Sequence, residues 1–445
     1  MKKRTRLTPL QSVVLGFLLI TILGAFLLTL PISNTKGVWQ SFIDALFTSA
    51  SCISTTGLVV QDTGSFYNLF GQIVMLIIFQ IGGIGFMVFI VLIAYALNRK
   101  PNHVSKASFK ESMAGAPIGN TKSFAKAVIL FTLAFELGGA LLLTLYWMSY
   151  YPLPRALWLG FFHSVSAFCT AGFGLFPDSL VSCQASVYVN LVEEVISIAG
   201  AVGFFVLFDM YRQSQKTIAR KWPHRLSLHT KMVLTVTAVI VVIGTFVVFF
   251  SELGRSNLPI GRQLMNAFFQ AVSAETTTGF NTVDVGGLMA PSLFFLMILM
   301  FIGASPGSTG GGIKTTTFGV IILFVLSLLK RSPDANIYKR RIPPELIDTS
   351  FAIASLSLLL VAIITLALVF TEKGTFMQIL FEVISAFGNG GLSTGITANL
   401  TPVGRVLLSL TMFIGRIGPL AIGFSLLGEP KKVSFKFARE DIYVG

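Results

Sequence analysis

Four glycines occupy equivalent places in a repeated stretch of this 445-residue sequence, and residues of this type at this spacing could together form a binding site. Gly57, Gly172, Gly279 and Gly391 lie 115, 107 and 112 residues apart. Each stands near the end of a fifteen-residue block, and the four blocks align without a gap: DALFTSASCISTTGL, LGFFHSVSAFCTAGF, NAFFQAVSAETTTGF and QILFEVISAFGNGGL. Near-equal spacing over the whole chain indicates that a large unit repeats four times.

The chemistry that such glycines permit is coordination by the backbone. Glycine adopts positive φ at little steric cost, so a glycine turn can aim its carbonyls into a narrow lumen. A ring of carbonyls replaces the water around a monovalent cation such as K⁺ without a formal charge in a low dielectric. About three helical turns precede each glycine, and the negative end of their dipole would face the ion. The alternative, four glycines that only permit tight turns, is less consistent with a pattern in four copies.

Other positions in or after the blocks have less specific explanations. Two columns besides the glycines are identical in all four blocks, and we assign both mainly to packing: Phe47, Phe162, Phe269 and Phe381, and Ser51, Ser166, Ser273 and Ser385. Acidic residues follow the first three glycines at similar offsets, namely Asp62, Asp178 and Asp284. These carboxylates either concentrate cations at an outer mouth or cap helices.

Composition shows which elements must position the blocks. Hydrophobic residues make up 53% of the chain and charged residues only 12%, against roughly 25% charged residues in soluble domains. Apolar runs approach the ~20 residues that span a hydrocarbon core, among them 10–30, 124–146, 231–250 and 351–370. The first run exceeds the apolar core of a signal peptide and lacks a cleavage site, so we expect it to be retained.

The net charge of +14 is concentrated in a few places. Of 33 Lys and Arg, 25 lie in the N-terminal tail and in residues 99–126, 212–231, 330–341 and 431–439. Two membrane crossings between successive stretches put them all on one side, which the positive-inside rule makes the cytoplasm. We therefore expect a multi-pass protein of the cell membrane, surrounded by lipid, with both termini cytoplasmic and no affinity for nucleic acid. Cys52, Cys169 and Cys183 lack a metal-ligand spacing, and no structural disulfide is expected.

Each unit has the pattern of an apolar helix, a block, a second apolar helix and a basic loop. The blocks lie opposite the basic loops, so they must enter the membrane and return, which requires burial in protein or a water-filled cavity. The predicted fold is an all-α integral membrane protein with four membrane-pore-membrane repeats. It would have eight spanning helices and four re-entrant pore helices around one pseudo-four-fold pore. The predicted units are residues 1–98, 99–212, 213–330 and 331–428, followed by a cytoplasmic tail at 429–445.

The second apolar run of the third unit is interrupted. Five glycines and a proline in twelve residues cannot continue a helix, and the interruption is Gly303-Ala304-Ser305-Pro306-Gly307-Ser308-Thr309-Gly310-Gly311-Gly312-Ile313-Lys314. A break at membrane depth predicts a site or a moving part, with a passive kink as the alternative. Lys314 either belongs to the ion path or snorkels to the cytoplasmic face.

A single arginine, Arg416, stands within the last apolar run. An intramembrane charge is costly, so it predicts a functional role. From the residues alone, a buried acidic partner is an alternative or an addition to that role, and the candidates are Glu193, Glu194 and Asp209.

With these blocks, this interruption and this arginine, the whole chain resembles the superfamily of K⁺ transporters that contains the Trk, Ktr and plant HKT proteins. It looks closest to the membrane subunits of bacterial Ktr systems. The resemblance implies K⁺ uptake driven by the membrane potential, with Na⁺ dependence open. It implies a gate loop at Gly303 to Gly312 with Lys314, and a positive barrier at Arg416 below the filter. The filter it implies consists of Thr55, Thr56, Gly57, Thr170, Ala171, Gly172, Thr277, Thr278, Gly279, Asn389, Gly390 and Gly391, whose carbonyls would hold K⁺.

The resemblance also implies partners. No part of the chain resembles a nucleotide-binding domain, whereas Ktr systems use a cytosolic KtrA-type ring that binds ATP or ADP and cyclic di-AMP. It further implies a homodimer with one pore per protomer. This chain itself is expected to carry no covalently bound cofactor, only K⁺ in the pore and Na⁺ as a further possibility.

Two other functions fit parts of the pattern. A coupled secondary transporter would alternate access around a broken helix and turn over slowly. A membrane enzyme would use acids such as Glu193, Glu275 and Glu382, but these match no catalytic motif. The filters also depart from the TVGYG of ordinary K⁺ channels because they lack its second glycine. We therefore expect weaker discrimination against Na⁺.

Overall fold

The computed structural model describes residues 8–85, 121–218, 226–255, 258–332 and 334–427. The N-terminal tail, most of the basic stretch 99–126 and the predicted tail 429–445 lie outside these residues. Within them the chain is almost entirely helical. The strands Asn336–Ile337 and Arg340–Arg341 pair antiparallel. Short turns join the longer helices: Pro31–Ser33, Thr63–Phe66, Val181–Cys183, Val285–Gly287 and Thr397–Asn399.

Four long apolar helices, the outer helices, lie at the periphery: Pro9–Thr29, Thr121–Trp147, Leu228–Glu252 and Pro344–Thr371. They contain 21 to 28 residues, which at about 1.5 Å per residue is enough to cross a hydrocarbon core of roughly 30 Å. Only 28–39% of the most apolar 18-residue stretch of each helix is buried, so most of each helix surface faces outward. This surface suits contact with lipid.

A shorter, buried helix follows each outer helix and leads into the repeated glycine; it keeps here the name predicted for it, the pore helix. The pore helices are Phe42–Ile53, Leu153–Phe168, Ile260–Glu275 and Phe376–Gly388. The repeated phenylalanines are at most 3% exposed and belong to the apolar core. The packing role predicted for this column is confirmed.

Each pore helix is followed by a second apolar helix, the inner helix, whose first segment ends one or two residues before a glycine with positive φ. These first segments are Leu69–Ile84, Val187–Ala201, Ala290–Ile302 and Pro402–Ile417. The glycines Gly85, Gly203, Gly303 and Gly418 have φ of 67° to 97°. Three inner helices continue beyond the glycine as Phe204–Ile218, Thr315–Leu329 and Pro419–Leu427. The sequence predicted a break only in the third unit, so this recurrence corrects the expectation.

The breaks affect how many spans helix length alone can identify. In the described residues, four helices are long and apolar enough to cross a membrane. A fifth span is counted if Val187–Ala201 and Phe204–Gln215, bent by 99°, are one span. The inner helices fall short because glycine divides them into segments of at most 16 residues. The count of eight spans therefore stays a prediction.

Candidate functional site

The four repeated glycines meet in a closed ring. A Cβ added to any of them would collide with the backbone at the glycine of another repeat or at the residue before it. The pairs are Gly57 with Ala171, Gly172 with Thr278, Gly279 with Gly391, and Gly391 with Thr56. Each turn touches the next in chain order, and the fourth touches the first. No side chain fits at these positions unless the neighbouring backbone moves.

The residue two places before each glycine turns the chain into the ring. Thr55, Thr170, Thr277 and Asn389 have φ of 49° to 56°, a left-handed conformation that costs a non-glycine residue roughly 1–2 kcal/mol. The following N–H donates to the carbonyl of the repeated serine at 2.7–2.9 Å in every repeat, as in a Schellman motif. The carbonyl end of each pore helix therefore leads directly into the ring, and that end of the helix dipole favours cations.

Two repeated serines also bond through their side chains. Ser51 Oγ accepts the N–H of Gly57 at 3.1 Å, and Ser273 Oγ accepts the N–H of Gly279 at 3.1 Å. The hydroxyls of Ser166 and Ser385 have no hydrogen-bond partner within the described residues. In the first and third repeats the serine therefore does more than pack, because its hydroxyl also holds the N–H of the ring glycine.

The interruption at 303–314 lies against the ring and touches the left-handed residue of every repeat. Thr55 Oγ1 donates to Thr309 O at 3.1 Å, and Thr170 Oγ1 donates to Thr309 Oγ1 at 3.2 Å. The N–H of Gly311 donates to Thr277 Oγ1 at 3.0 Å. Gly311 also sits so close to Asn389 that a Cβ there would collide with it. The loop thus spans all four repeats.

A second set of bonds joins this loop to the bend of the second inner helix. Three backbone hydrogen bonds of 3.0–3.2 Å make the connection: Ser305 N to Ala201 O, Thr309 N to Gly200 O, and Phe204 N to Gly307 O. The acceptors and donors on the helix side flank Gly203, where the helix turns. The loop and the bend are therefore physically linked.

Lys314 also belongs to the loop. Its Nζ donates to the carbonyl of Gly310 at 2.6 Å and to that of Gly311 at 3.2 Å. The side chain folds back onto its own loop, so the snorkelling alternative is not what the structure shows.

Arg416 lies in the last turn of the fourth inner helix, and its guanidinium donates to four backbone carbonyls. Two belong to the loop, those of Thr309 and of Gly310 at 3.1 Å. Two belong to the first inner helix, those of Gly82 at 2.5 Å and Gly83 at 3.2 Å. In the described part of the chain, it forms no ion pair with the acids considered from the sequence, Glu193, Glu194 and Asp209. Carbonyl dipoles take the place of that partner.

The acidic residues that follow the first three glycines cap turns. Asp62 accepts the N–H of Ser65 at 2.7 Å, and Asp178 accepts that of Ser182 at 2.9 Å. Asp284 accepts the N–H of Gly286 at 3.1 Å. Of the two explanations open from the sequence, the structure supports helix and turn capping.

Apolar outer helices around a closed ring of glycine turns fit a membrane protein of the cation-transport class. A family model described as "TrkH: Cation transport protein" matches residues 8–433. The chain belongs to this family. The family description names transport of cations and no enzymatic reaction, which agrees with the expectation that the chain is not an enzyme.

Individual relatives place the chain more closely within the family. It is 39% identical to the Ktr system potassium uptake protein B of Bacillus subtilis over 100% of this chain and 98% of that protein. It is 34% identical to the protein of the same description from Vibrio alginolyticus, over 98% and 94% of the two chains. The potassium/sodium uptake protein NtpJ of Enterococcus hirae is 32% identical over 100% and 99%. The resemblance inferred from the motifs is confirmed.

A solved structure supports the fold independently of close sequence similarity. The crystal structure of the potassium transporter TrkH from Vibrio parahaemolyticus matches with a TM-score of 0.73 at 20% identity. The match covers 96% of this chain and 86% of that one. The described helices therefore have a TrkH-like arrangement.

Proposed function

We propose that this chain is the ion-conducting subunit of a Ktr-type potassium uptake system in the cell membrane. The observation that carries the proposal is the closed ring of four glycine turns at the carbonyl ends of four buried helices. Its full-length relatives are described as potassium uptake proteins, which agrees with that chemistry.

The ring acts as a selectivity filter built from the backbone of residues 55–57, 170–172, 277–279 and 389–391. A K⁺ ion leaves its hydration shell here and is coordinated by carbonyl oxygens. Because each repeat supplies one short turn, the filter has few layers of oxygen, and discrimination against Na⁺ rests on the spacing of the turns. The NtpJ description names sodium beside potassium, so Na⁺ is a second ion to test.

The architecture follows from this role. Four repeats, each with an outer helix, a re-entrant pore helix and an inner helix, surround one pseudo-four-fold axis. The boundaries of these repeats are those predicted from the sequence. The arrangement supports eight crossings, and the second, third and fourth inner helices are interrupted near the level of the ring.

The loop at 303–314 serves as the gate. Its contacts with all four left-handed residues support a position across the inner side of the filter, and its bonds with Arg416 support a role of the arginine in fastening it. The arginine also adds a positive charge next to the path, which raises the barrier for cations. Opening requires the loop to leave Arg416.

The force that opens the gate comes from the cytosol. The word "system" in the descriptions of the relatives fits a transporter with more than one kind of subunit. We propose a homodimer, one pore per protomer, docked through its basic loops and tail on a KtrA-type ring. That ring, and not this chain, binds ATP or ADP and cyclic di-AMP.

Complementation of a K⁺-uptake-deficient bacterium tests the proposal. Wild-type protein, Gly391→Ser and a deletion within 303–312 are compared with and without a ring subunit. We expect wild type to restore growth at low K⁺ with the ring, and the deletion to raise flux without it. A turnover too low for a pore would indicate the coupled transporter instead, and no K⁺ uptake by wild type with the ring would overturn the proposal.

A further inference from the structure

The position after the repeated phenylalanine is polar in every block and is completely buried. It holds Thr48, His163, Gln270 and Glu382, none of which is more than 1% exposed. Burial of a polar group without a partner costs several kcal/mol by transfer estimates, roughly 2–7. The partners of these four side chains therefore show what the position does.

In three repeats the partner is the third residue after the glycine of the ring. The N–H of Leu175 donates to His163 Nε2 at 3.3 Å, and the N–H of Thr394 donates to Glu382 Oε1 at 2.8 Å. In the third repeat, Gln270 Nε2 donates to the hydroxyl of Thr282 at 3.3 Å. Three different side chains make an equivalent contact, so the position braces the segment that leaves the ring against the pore helix.

Glu382 makes the most extensive brace. Besides the N–H of Thr394, its carboxylate accepts the hydroxyls of Ser393 at 2.8 Å, Thr394 at 3.1 Å and Thr397 at 2.5 Å. Both oxygens are used, and each of these groups can donate. An ionised carboxylate offers acceptors only, whereas glutamine would turn an NH₂ donor toward one side of the cluster. The site is therefore matched to glutamate.

The fourth repeat is also where the ring most needs support. Its turn, Gly388-Asn389-Gly390-Gly391, contains three glycines in four residues. Glycine has the largest conformational freedom of any residue, so this turn is the least stiff of the four by composition. Ser393, which Glu382 holds, lies two residues beyond Gly391.

We propose that Glu382 is a positioning residue that fixes the fourth quarter of the ring and thereby sets the discrimination between K⁺ and Na⁺. This inference rests on the proposed function as a K⁺ pathway. The carboxylate does not contact the ion. It acts through Ser393 and Thr394, which keep the Gly391 turn at the distance that suits K⁺.

The test compares Glu382→Gln with Glu372→Gln in the same repeat. Glu372 likewise accepts the N–H of a threonine, Thr401, at 2.8 Å, but there it caps the fourth inner helix. With the ring subunit present, Rb⁺ uptake is measured against external K⁺ and Na⁺, normalised to protein in the membrane. Because a charge-assisted hydrogen bond is lost, we expect Glu382→Gln to raise the half-saturating K⁺ concentration by roughly tenfold and to increase inhibition by Na⁺. Glu372→Gln should leave both unchanged.

Glu382→Asp, which keeps the charge, should fall between wild type and Gln, and it replaces Gln if that variant does not reach the membrane. A wild-type K⁺ affinity and Na⁺ inhibition in the Gln or Asp variant would overturn the inference, even if the maximal rate falls. Absence of K⁺ uptake by wild type would instead refute the proposed function.

Discussion

Replacing Arg416 with methionine should open the pathway in the absence of any partner. Methionine keeps the length and apolar body of the side chain but removes the charge and all its donors. The guanidinium of Arg416 bridges the loop, through the carbonyls of Thr309 and Gly310, to the first inner helix, through the carbonyl of Gly82. The substitution removes this bridge. Nothing else on the fourth inner helix is changed.

The size of the effect follows from the bonds that are lost. A hydrogen bond with a charged partner contributes about 1.5–3 kcal/mol net. The two bonds to the loop share one guanidinium and are not additive, so we count one. The ratio of displaced to seated loop then rises roughly 10- to 150-fold. Removal of the positive charge from the path adds to the flux in the same direction.

The assay is K⁺ efflux from liposomes that contain the purified chain without a ring subunit. Arg405→Met serves as the control, because this arginine lies on the same helix but pairs with Asp44. We expect a large rise for Arg416→Met and none for Arg405→Met. Efflux by Arg416→Met at or below the wild-type rate, with equal protein, would show that the arginine supports the path and does not obstruct it.

Further predictions concern the filter, the loop, the assembly of the repeats and the topology. Gly391→Ser should increase the inhibition of Rb⁺ uptake by Na⁺, because the added Cβ meets the backbone of Thr56. Gly395→Ser, where φ is also positive at +93° but the space is open, should not increase it. Equal effects of the two variants would mean that backbone strain is the cause. Lys314→Met should raise partner-free efflux less than Arg416→Met does, since Lys314 ties the loop only to itself. Asp44→Asn and Arg405→Met should each lower the apparent Tm. The Tm of the double variant should fall little further than that of the worse single variant, because the two residues form one ion pair with each other. Fully additive decreases in Tm would argue against that pair. A fluorescent protein fused after Gly445 should fluoresce in the intact bacterium, and export of the tail would abolish that signal.

The repeats could be predicted because they depend on local patterns. Apolar runs, glycine blocks and a glycine-rich interruption are visible in short windows, and fourfold repetition indicates that they share one axis. The breaks in the other inner helices have weaker signals, although Gly418-Pro419 combines two residues that disfavour helix. Gly85 and Gly203 lie in apolar runs without proline, and other glycines in the same runs, Gly82, Gly83 and Gly200, stay within the helix, so glycine alone does not mark where the break falls.

The contacts that hold the site together could not be predicted in the same way. Arg416 bonds to Gly82, 334 residues away, through a backbone carbonyl. Every residue has such a carbonyl, so no side-chain type marks the acceptor, and the acids Glu193 and Glu194 were the natural candidates. Left-handed Thr55 and Thr170 were also hidden, because β-branched residues rarely adopt positive φ.

The hydrogen bonds between the loop and the residues that flank Gly203 couple the loop mechanically to the second inner helix. The N–H of Phe204, the first residue of the segment Phe204–Ile218, donates to the carbonyl of Gly307 in the loop. That segment ends at Ile218, which lies within the basic stretch at 212–231 and more than a dozen residues beyond Gly203. Under the gating proposed above, a small rotation imposed at that end would pull on the loop. Docking of a partner at the basic stretch would then move the loop under the ring without any change in the ring itself.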